Sequence, residues 1–168
     1  MSSIHWCRLK GALNDMSNCF VCSAIYTNLA IFGVMDLDLL GKNALVCGST
    51  QGIGKATAIA LAKMGATVFL LARNEEKLKK VKSQLDNSRG QKHDYLCADF
   101  SDVNQIKNVA HELERINIHI LINNTGGPAS GPIASAKSHD FEEAFQMHVV
   151  CNQILSQAVV DSMKKACY

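Results

Sequence analysis

Short apolar runs and longer amphipathic segments alternate along residues 44–165, and this pattern predicts four strand–helix pairs. Continuous apolar runs of this length are typical of strands buried on both faces of a parallel sheet. A segment with apolar residues at helical spacing follows each run. The predicted strands are 44–47, 66–72, 94–99 and 118–122, and the predicted helices are 55–64, 74–86, 101–116 and 138–165. Because the connections are short, we expect right-handed crossovers and a doubly wound parallel α/β sheet with strand order 3-2-1-4.

A glycine-rich stretch joins the first strand to the first helix. Gly48, Gly52 and Gly54 follow the apolar run Ala44–Cys47, and the helical pattern opens at Lys55. This order brings main-chain N–H groups and a helix N-terminus against a phosphate, and glycine lets the backbone approach it closely. A P-loop is excluded, because the lysine after Gly54 precedes alanine and the residue five before Gly54 is a serine.

Composition and charge limit the class of protein. The 168 residues, 48% of them apolar and 19% charged, suit one ordinary domain with a sizeable core. A net charge of +2 with dispersed lysines gives no reason to expect a nucleic-acid partner. Seven cysteines lack the spacing of a disulfide framework, so we expect a reduced, cytoplasmic protein. We expect Cys47 and Cys97, which lie in strand patterns, to be buried thiols.

Residues 1–34 do not share this pattern, and three interpretations of them remain open. The apolar stretch 19–35 follows two basic residues and would suit a membrane anchor or signal peptide, but it contains an asparagine and lacks a clear cleavage site. Cys19 and Cys22, with Cys7 and His5 nearby, would suit a zinc site, but the ligand set is ragged and we expect no metal. We favour the interpretation that residues 1–34 are an atypical extension and that the folded domain covers residues 35–168. We do not expect the protein to bind a membrane.

Several motifs, in order and at strand ends, resemble those of the short-chain dehydrogenase/reductase family. The segment Gly48-x-x-x-Gly52-Ile53-Gly54 is similar to the family's glycine-rich cofactor loop. Asp99, followed by Phe100, is similar to the acidic residue that contacts the adenine ring. Asn123-Asn124-Thr125-Gly126 is similar to the Asn-Asn-Ala-Gly that ends the fourth strand, with threonine in place of alanine.

The resemblance covers the chain from about Met35 onward and is strongest to the 3-oxoacyl-[acyl-carrier-protein]-reductase-like group. It implies a Rossmann-type sheet, incomplete here at about four strands, that binds NAD(P) as the amino-terminal part of a larger domain. It also implies that complete members are homo-oligomers.

The end of the second strand favours NADP over NAD. An NAD-preferring site places Asp or Glu there to accept from the ribose 2′-OH, whereas this chain has Ala72 followed by Arg73 and Asn74. A guanidinium can bind a 2′-phosphate bidentately, although Arg73 would also suit a solvated strand end. Gln51 is neutral where some relatives carry a second basic residue, so we expect a moderate preference. The predicted cofactor-binding residues are Gly48, Ser49, Thr50, Gln51, Gly52, Ile53, Gly54, Arg73, Asn74, Asp99, Phe100, Asn124, Thr125 and Gly126.

The family's reacting residues are missing from this sequence. Its reaction uses a Ser, and a Tyr with a Lys four residues later, but none of Tyr26, Tyr95 and Tyr168 has that lysine. We expect the Ser on a fifth strand beyond Tyr168. His148 occupies the position where the family has an Asn that holds a proton-relay water. A histidine there would also bond to a main-chain carbonyl or a water, but a lone histidine in an apolar helix is as well explained by a structural role.

We therefore predict an NAD(P)-dependent oxidoreductase that moves a hydride between NADP(H) and an unknown carbonyl or alcohol substrate, inactive as this truncated chain. A non-catalytic dinucleotide-binding or regulatory module is one alternative, and a membrane-tethered interaction protein is another. An unpaired apolar fourth strand promotes association, so we expect the chain to be poorly soluble or to pair with another chain.

Overall fold

The computed structural model describes residues 37–127 and 131–167, and its elements confirm the predicted alternation of strands and helices. The predicted anchor and cysteine pair lie outside these ranges. The sheet and its crossovers comprise β1 Asn43–Cys47, α1 Gly52–Lys63, β2 Thr67–Ala72, α2 Glu75–Lys82, β3 Asp94–Cys97, α3 Val103–Leu113 and β4 Ile120–Ile122. A 3-10 turn Ile133–Ser135, helix α4 Ser138–Phe145, a π-helical turn Gln146–Val150 and helix α5 Cys151–Lys165 follow.

The four strands form one parallel sheet in the order β3-β2-β1-β4, which confirms the predicted order and the Rossmann-type topology. Leu45 at the centre of β1 pairs with Phe69 of β2 on one side and with Leu121 of β4 on the other. Within the described residues β3 and β4 are the edges of this sheet. All four strands point the same way, so their carboxyl ends meet along one edge.

Helices cover both faces of the sheet because side chains along β1 and β2 alternate between them. Leu45 and Leu71 pack with α3 and α5 residues such as Ile106 and Leu155. Neighbouring positions Val46 and Leu70 pack on the other face with α1 and α2, through Ala58, Ala62, Leu78 and Val81. The small alanines of α1 let that helix lie close to the sheet. The two cores hold the strand ends in fixed relative positions.

Local signals in the sequence fix the ends of several helices. The Asn74 side chain accepts from the Lys77 N–H at 2.8 Å, and Asp102 accepts from the Asn104 N–H at 2.9 Å, so each side chain caps the helix that follows it. Gly65 follows α1 with φ of +97°, the left-handed conformation of a helix C′ residue. None of the helices in the described ranges is long and apolar enough to span a membrane.

Three expectations about individual elements were wrong. The predicted helix 138–165 is interrupted by the π turn Gln146–Val150, since one inserted residue hardly disturbs the apolar spacing from which helices are predicted. Helix α2 ends at Lys82, four residues earlier than predicted. Cys97 is exposed rather than buried, because β3 is an edge strand.

Candidate cofactor site

A crevice of about 480 Å³ runs along the carboxyl ends of the strands, where the loops that follow them meet. It brings together most of the residues predicted to bind the cofactor. These are Gly48, Thr50, Gln51, Gly52, Ile53, Arg73, Asp99, Phe100, Asn124, Thr125 and Gly126. The crevice therefore joins loops that are far apart in the sequence.

Close packing of the glycine loop against the loop after β4 forms one wall of this crevice. Gly48 has φ of +59°, and a Cβ at this position would collide with the main-chain oxygen of Asn124. The Asn124 amide in turn donates to the Cys47 carbonyl at 3.2 Å and reaches the Gly48 carbonyl at 3.4 Å. A Cβ at Gly54 would collide with the Gly48 carbonyl. These two glycines are therefore required for the loops to approach each other.

The N-terminus of α1 opens onto the crevice. Its first residues, Gly52 and Ile53, are among the lining residues, and Gln51 at the N-cap makes no side-chain hydrogen bond to the first turn. No acidic residue lies in that turn. The main-chain N–H groups of a first helical turn lack partners within the helix and bind anions well. A Cβ at Gly52 would meet no atom within 4 Å, so this side of the loop is open to a ligand.

An ion pair lies across the tips of β2 and β3. The Arg73 guanidinium is 3.6 Å from the Asp99 carboxylate, and the two side chains are 78% and 30% exposed. Asp99 also accepts from the Ser101 main-chain N–H at 3.0 Å. This hydrogen bond, a second one from the Ser101 side chain and the charge of Arg73 lower the pKa of Asp99 against the opposing effect of burial. The carboxylate is therefore ionised at neutral pH, and Arg73 remains accessible to a ligand.

Three other predicted cofactor residues lie outside the lining of the crevice. Ser49 is fully buried, and its hydroxyl donates to the Leu71 carbonyl at 3.4 Å, which ties the loop to β2. Asn74 caps α2, and Gly54 provides the close contact described above. These residues shape the loops that carry the lining residues.

His148 lies in the π turn, behind the loop that follows β4. Its ring Nδ1 is 2.5 Å from the Thr125 hydroxyl, and its carbonyl accepts from the Asn152 amide at 2.7 Å. The ring is half-buried and contacts the lining residue Thr125 without being a lining residue itself. Met147, the preceding residue, does line the crevice.

Four lining residues were not predicted from the sequence: Ala72, Ala98, Gly127 and Met147. Ala72, Ala98 and Gly127 adjoin predicted site residues, so sequence proximity could have found them. Met147 depends on the π turn, which the apolar pattern does not reveal.

Tyr95, the one tyrosine within the described ranges, is not among the residues that line the crevice. Its hydroxyl donates to Glu75 on α2 at 3.0 Å, and the ammonium of Lys82 lies 5.4 Å from the ring centre. It therefore contributes to packing at the β3 edge of the sheet.

A glycine loop, a helix N-terminus and a strand-end arginine around one crevice are typical of a dinucleotide-binding α/β domain. The family model described as short chain dehydrogenase matches residues 42–167. The chain belongs to the short-chain dehydrogenase/reductase family.

Individual relatives are similar to the chain over most of its length. 17-beta-hydroxysteroid dehydrogenase type 3 of Danio rerio is 33% identical over 129 residues, 76% of this chain and 40% of that protein. Glucose 1-dehydrogenase of Gluconobacter oxydans is 31% identical over 131 residues, 74% of this chain and 49% of that protein. The structure of L-sorbose reductase from Gluconobacter frateurii, complexed with NADPH and L-sorbose, is similar with a TM-score of 0.71 at 26% identity, covering 79% of this chain and 51% of that one. The chain thus spans about half the length of these relatives or less.

Proposed function

We propose that this chain binds NADP(H) for an oxidoreductase that moves a hydride between the cofactor and a carbonyl or alcohol substrate. The observation that carries the proposal is the tip of β2, where Ala72 replaces an acid and the exposed Arg73 guanidinium lines the crevice. A carboxylate at this point would repel a 2′-phosphate, whereas a guanidinium binds one through two N–H donors. We therefore expect NADP to be preferred over NAD, because a positive charge stands where an NAD-binding site has a negative one.

The remaining parts of the crevice suit the rest of a dinucleotide. Main-chain N–H groups at Gly52 and Ile53 would hold the pyrophosphate at the start of α1. The ionised Asp99 carboxylate would accept from the adenine amino group. Asn124 would keep the glycine loop against the β4 loop through its bonds to Cys47 and Gly48. The bound nicotinamide would supply the hydride.

Similar proteins support this cofactor and this class of substrate. L-sorbose reductase was solved with NADPH and L-sorbose, and a metagenomic short-chain oxidoreductase 30% identical to this chain was solved with NADP. Free thiols at Cys47, Cys97 and Cys151 suit a reducing compartment, so we propose that the protein works in the cytoplasm.

A further part of the proposal concerns the tyrosine and lysine that carry out the family's reaction. The sequence contains no Tyr-x-x-x-Lys, and Tyr95 is hydrogen-bonded to Glu75 away from the crevice. We therefore expect this chain to hold NADPH without reducing a substrate.

Two measurements on the purified chain test the proposal. Fluorescence of NADPH should change on addition of the chain and should saturate, because the crevice removes the cofactor from water. Absorbance at 340 nm should then stay constant when sugars, steroids or acyl ketones are added. A chain that leaves NADPH fluorescence unchanged would contradict cofactor binding. Oxidation of NADPH dependent on a ketone would show that the proton donor is another residue of this chain.

A further inference from the structure

The contact between Thr125 and His148 joins two walls of the crevice. Thr125 belongs to the loop after β4, and His148 lies 23 residues further along, in the π turn. The Thr125 Oγ1 and the His148 Nδ1 are 2.5 Å apart, and both residues are half-buried. A hydroxyl and an imidazole shielded in this way form a directional bond rather than an incidental surface contact.

The π turn is held at three points around the crevice. The Thr125 hydroxyl holds the ring of His148, and the Asn152 amide holds its carbonyl at 2.7 Å. Gln146, the first residue of the turn, donates to the Ser101 carbonyl at 3.4 Å in the loop after β3. Met147 lies between Gln146 and His148 and lines the crevice. The position of Met147 therefore depends on these contacts.

Both members of the pair differ from the residues expected in the family. An alanine at position 125 has no hydroxyl to offer, and an asparagine at position 148 is shorter than an imidazole. The two unexpected residues form a hydrogen bond with each other, so each provides the hydrogen-bonding partner of the other. The hydroxyl can donate to Nδ1 or accept from it, so this bond couples the orientation of the hydroxyl to the tautomer of the ring.

We propose that Thr125 is a positioning residue: its hydroxyl holds the His148 ring and, through it, the Met147 wall of the crevice. Affinity for NADP(H) then depends on the pair rather than on either residue alone. This inference rests on the proposed function, because it assumes that NADP(H) occupies the crevice.

A double-mutant cycle on NADPH binding separates this role from a direct contact. Thr125→Val removes the hydroxyl at nearly constant shape and should weaken NADPH binding by up to about 10-fold, the size of one half-buried hydrogen bond. Thr125→Ser restores the hydroxyl and should bind within about twofold of the unaltered chain. In a His148→Leu background, Thr125→Val should cause no further loss. An equal loss in both backgrounds would mean that Thr125 acts directly, which would overturn the proposal.

A second measurement does not need the cofactor. In the chain labelled with ¹⁵N at histidine, His148→Leu assigns the His148 ring signals, and their two ¹⁵N shifts report the tautomer. Thr125→Val should move these shifts, and Thr125→Ser should return them to the original values. Unchanged shifts in Thr125→Val would contradict the pair itself. If the unaltered chain bound no NADPH, the proposed function and the link to affinity would fail, while the ring shifts would still decide whether Thr125 positions His148.

Discussion

The guanidinium of Arg73 lies 3.6 Å from the carboxylate of Asp99 and links the tips of β2 and β3 at the crevice. Because the arginine side chain is 78% exposed, water screens this pair and it adds little to folding stability. The ion pair instead orients the Arg73 guanidinium, because it holds this cation where the adenosine end of a dinucleotide would lie. Asp99 stays in place through its separate bond from Ser101.

Replacing Arg73 with alanine should therefore change cofactor choice and leave the fold intact. We expect NADPH affinity to fall about 10- to 100-fold, the size of a lost charge-assisted hydrogen bond, while NADH affinity changes less than threefold. Calorimetric titration with both cofactors measures the two constants. Arg115→Ala, an exposed arginine after α3, is the matched control and should change neither. Equal losses for NADPH and NADH would contradict a role in 2′-phosphate binding.

Gly52 and Gly41 offer a matched pair of substitutions for the glycine loop. They have φ of +55° and +77°, and a Cβ at either position meets no atom within 4 Å. Alanine at each should cost about 1–2 kcal/mol of stability through its left-handed backbone. Only Gly52→Ala should lose NADPH binding, by about 10-fold or more, because its methyl group enters the crevice where the pyrophosphate would approach. Chemical unfolding and NADPH titration check the two effects, and retained binding in Gly52→Ala would place the phosphate elsewhere.

Folding stability should fall in mild acid through His119, at the amino-terminal edge of the sheet. Its Nδ1 accepts from the Asn43 N–H at 3.1 Å. Burial first, and then the charge of Lys42, lower the pKa of the ring from its ordinary value of 6.5, against a hydrogen bond that the ring donates to the Asn117 main-chain carbonyl. The unfolded chain therefore binds the proton at a higher pH than the folded chain, so the stabilisation is complete above pH 6.5 and is lost as the pH falls below it.

Urea unfolding of the chain between pH 5 and pH 8 measures this effect. His119→Gln should flatten the slope of unfolding free energy against pH in this range. His111→Gln is the control, because that ring is 77% exposed on α3. An identical slope in the unaltered chain and His119→Gln would exclude His119 as its source.

Thiol reactivity should follow burial. Cys97 is exposed at the end of β3, whereas burial raises the pKa of the Cys47 thiol to about 12 and also raises the pKa of Cys151. Iodoacetamide should therefore alkylate Cys97 in the folded chain and reach Cys47 and Cys151 only after unfolding. Peptide mass spectrometry identifies the labelled positions. Early labelling of Cys47 would contradict a packed β1.

The strand order and most of the crevice could be predicted because their signals are local. Apolar runs identify buried strands, and three glycines around the start of a helical pattern identify the turn that lines the crevice. Arg73 and Asp99 each follow a predicted strand, so a parallel sheet brings them together without further information. The short-chain dehydrogenase/reductase family was identified from the same residues.

Features that depend on packing could not be predicted. Cys97 has an apolar neighbourhood in the sequence, but its exposure follows from the edge position of β3. The π turn inserts one residue without breaking the apolar spacing, so the contact of Thr125 with His148 and the place of Met147 were hidden. Ser49 has a hydroxyl suited to phosphate, yet it turns inward to Leu71. Each depends on tertiary packing that one sequence does not reveal.

The role of Arg73 in cofactor choice is tested by the ratio of NADPH to NADH dissociation constants, measured by calorimetry on the unaltered 168-residue chain at one salt concentration. We predict saturable binding of both cofactors, with NADPH bound about 10-fold or more tightly, since one charge-assisted phosphate contact is worth at least about 1.4 kcal/mol. Equal affinities would contradict the role of Arg73, and absence of binding would contradict the cofactor crevice itself.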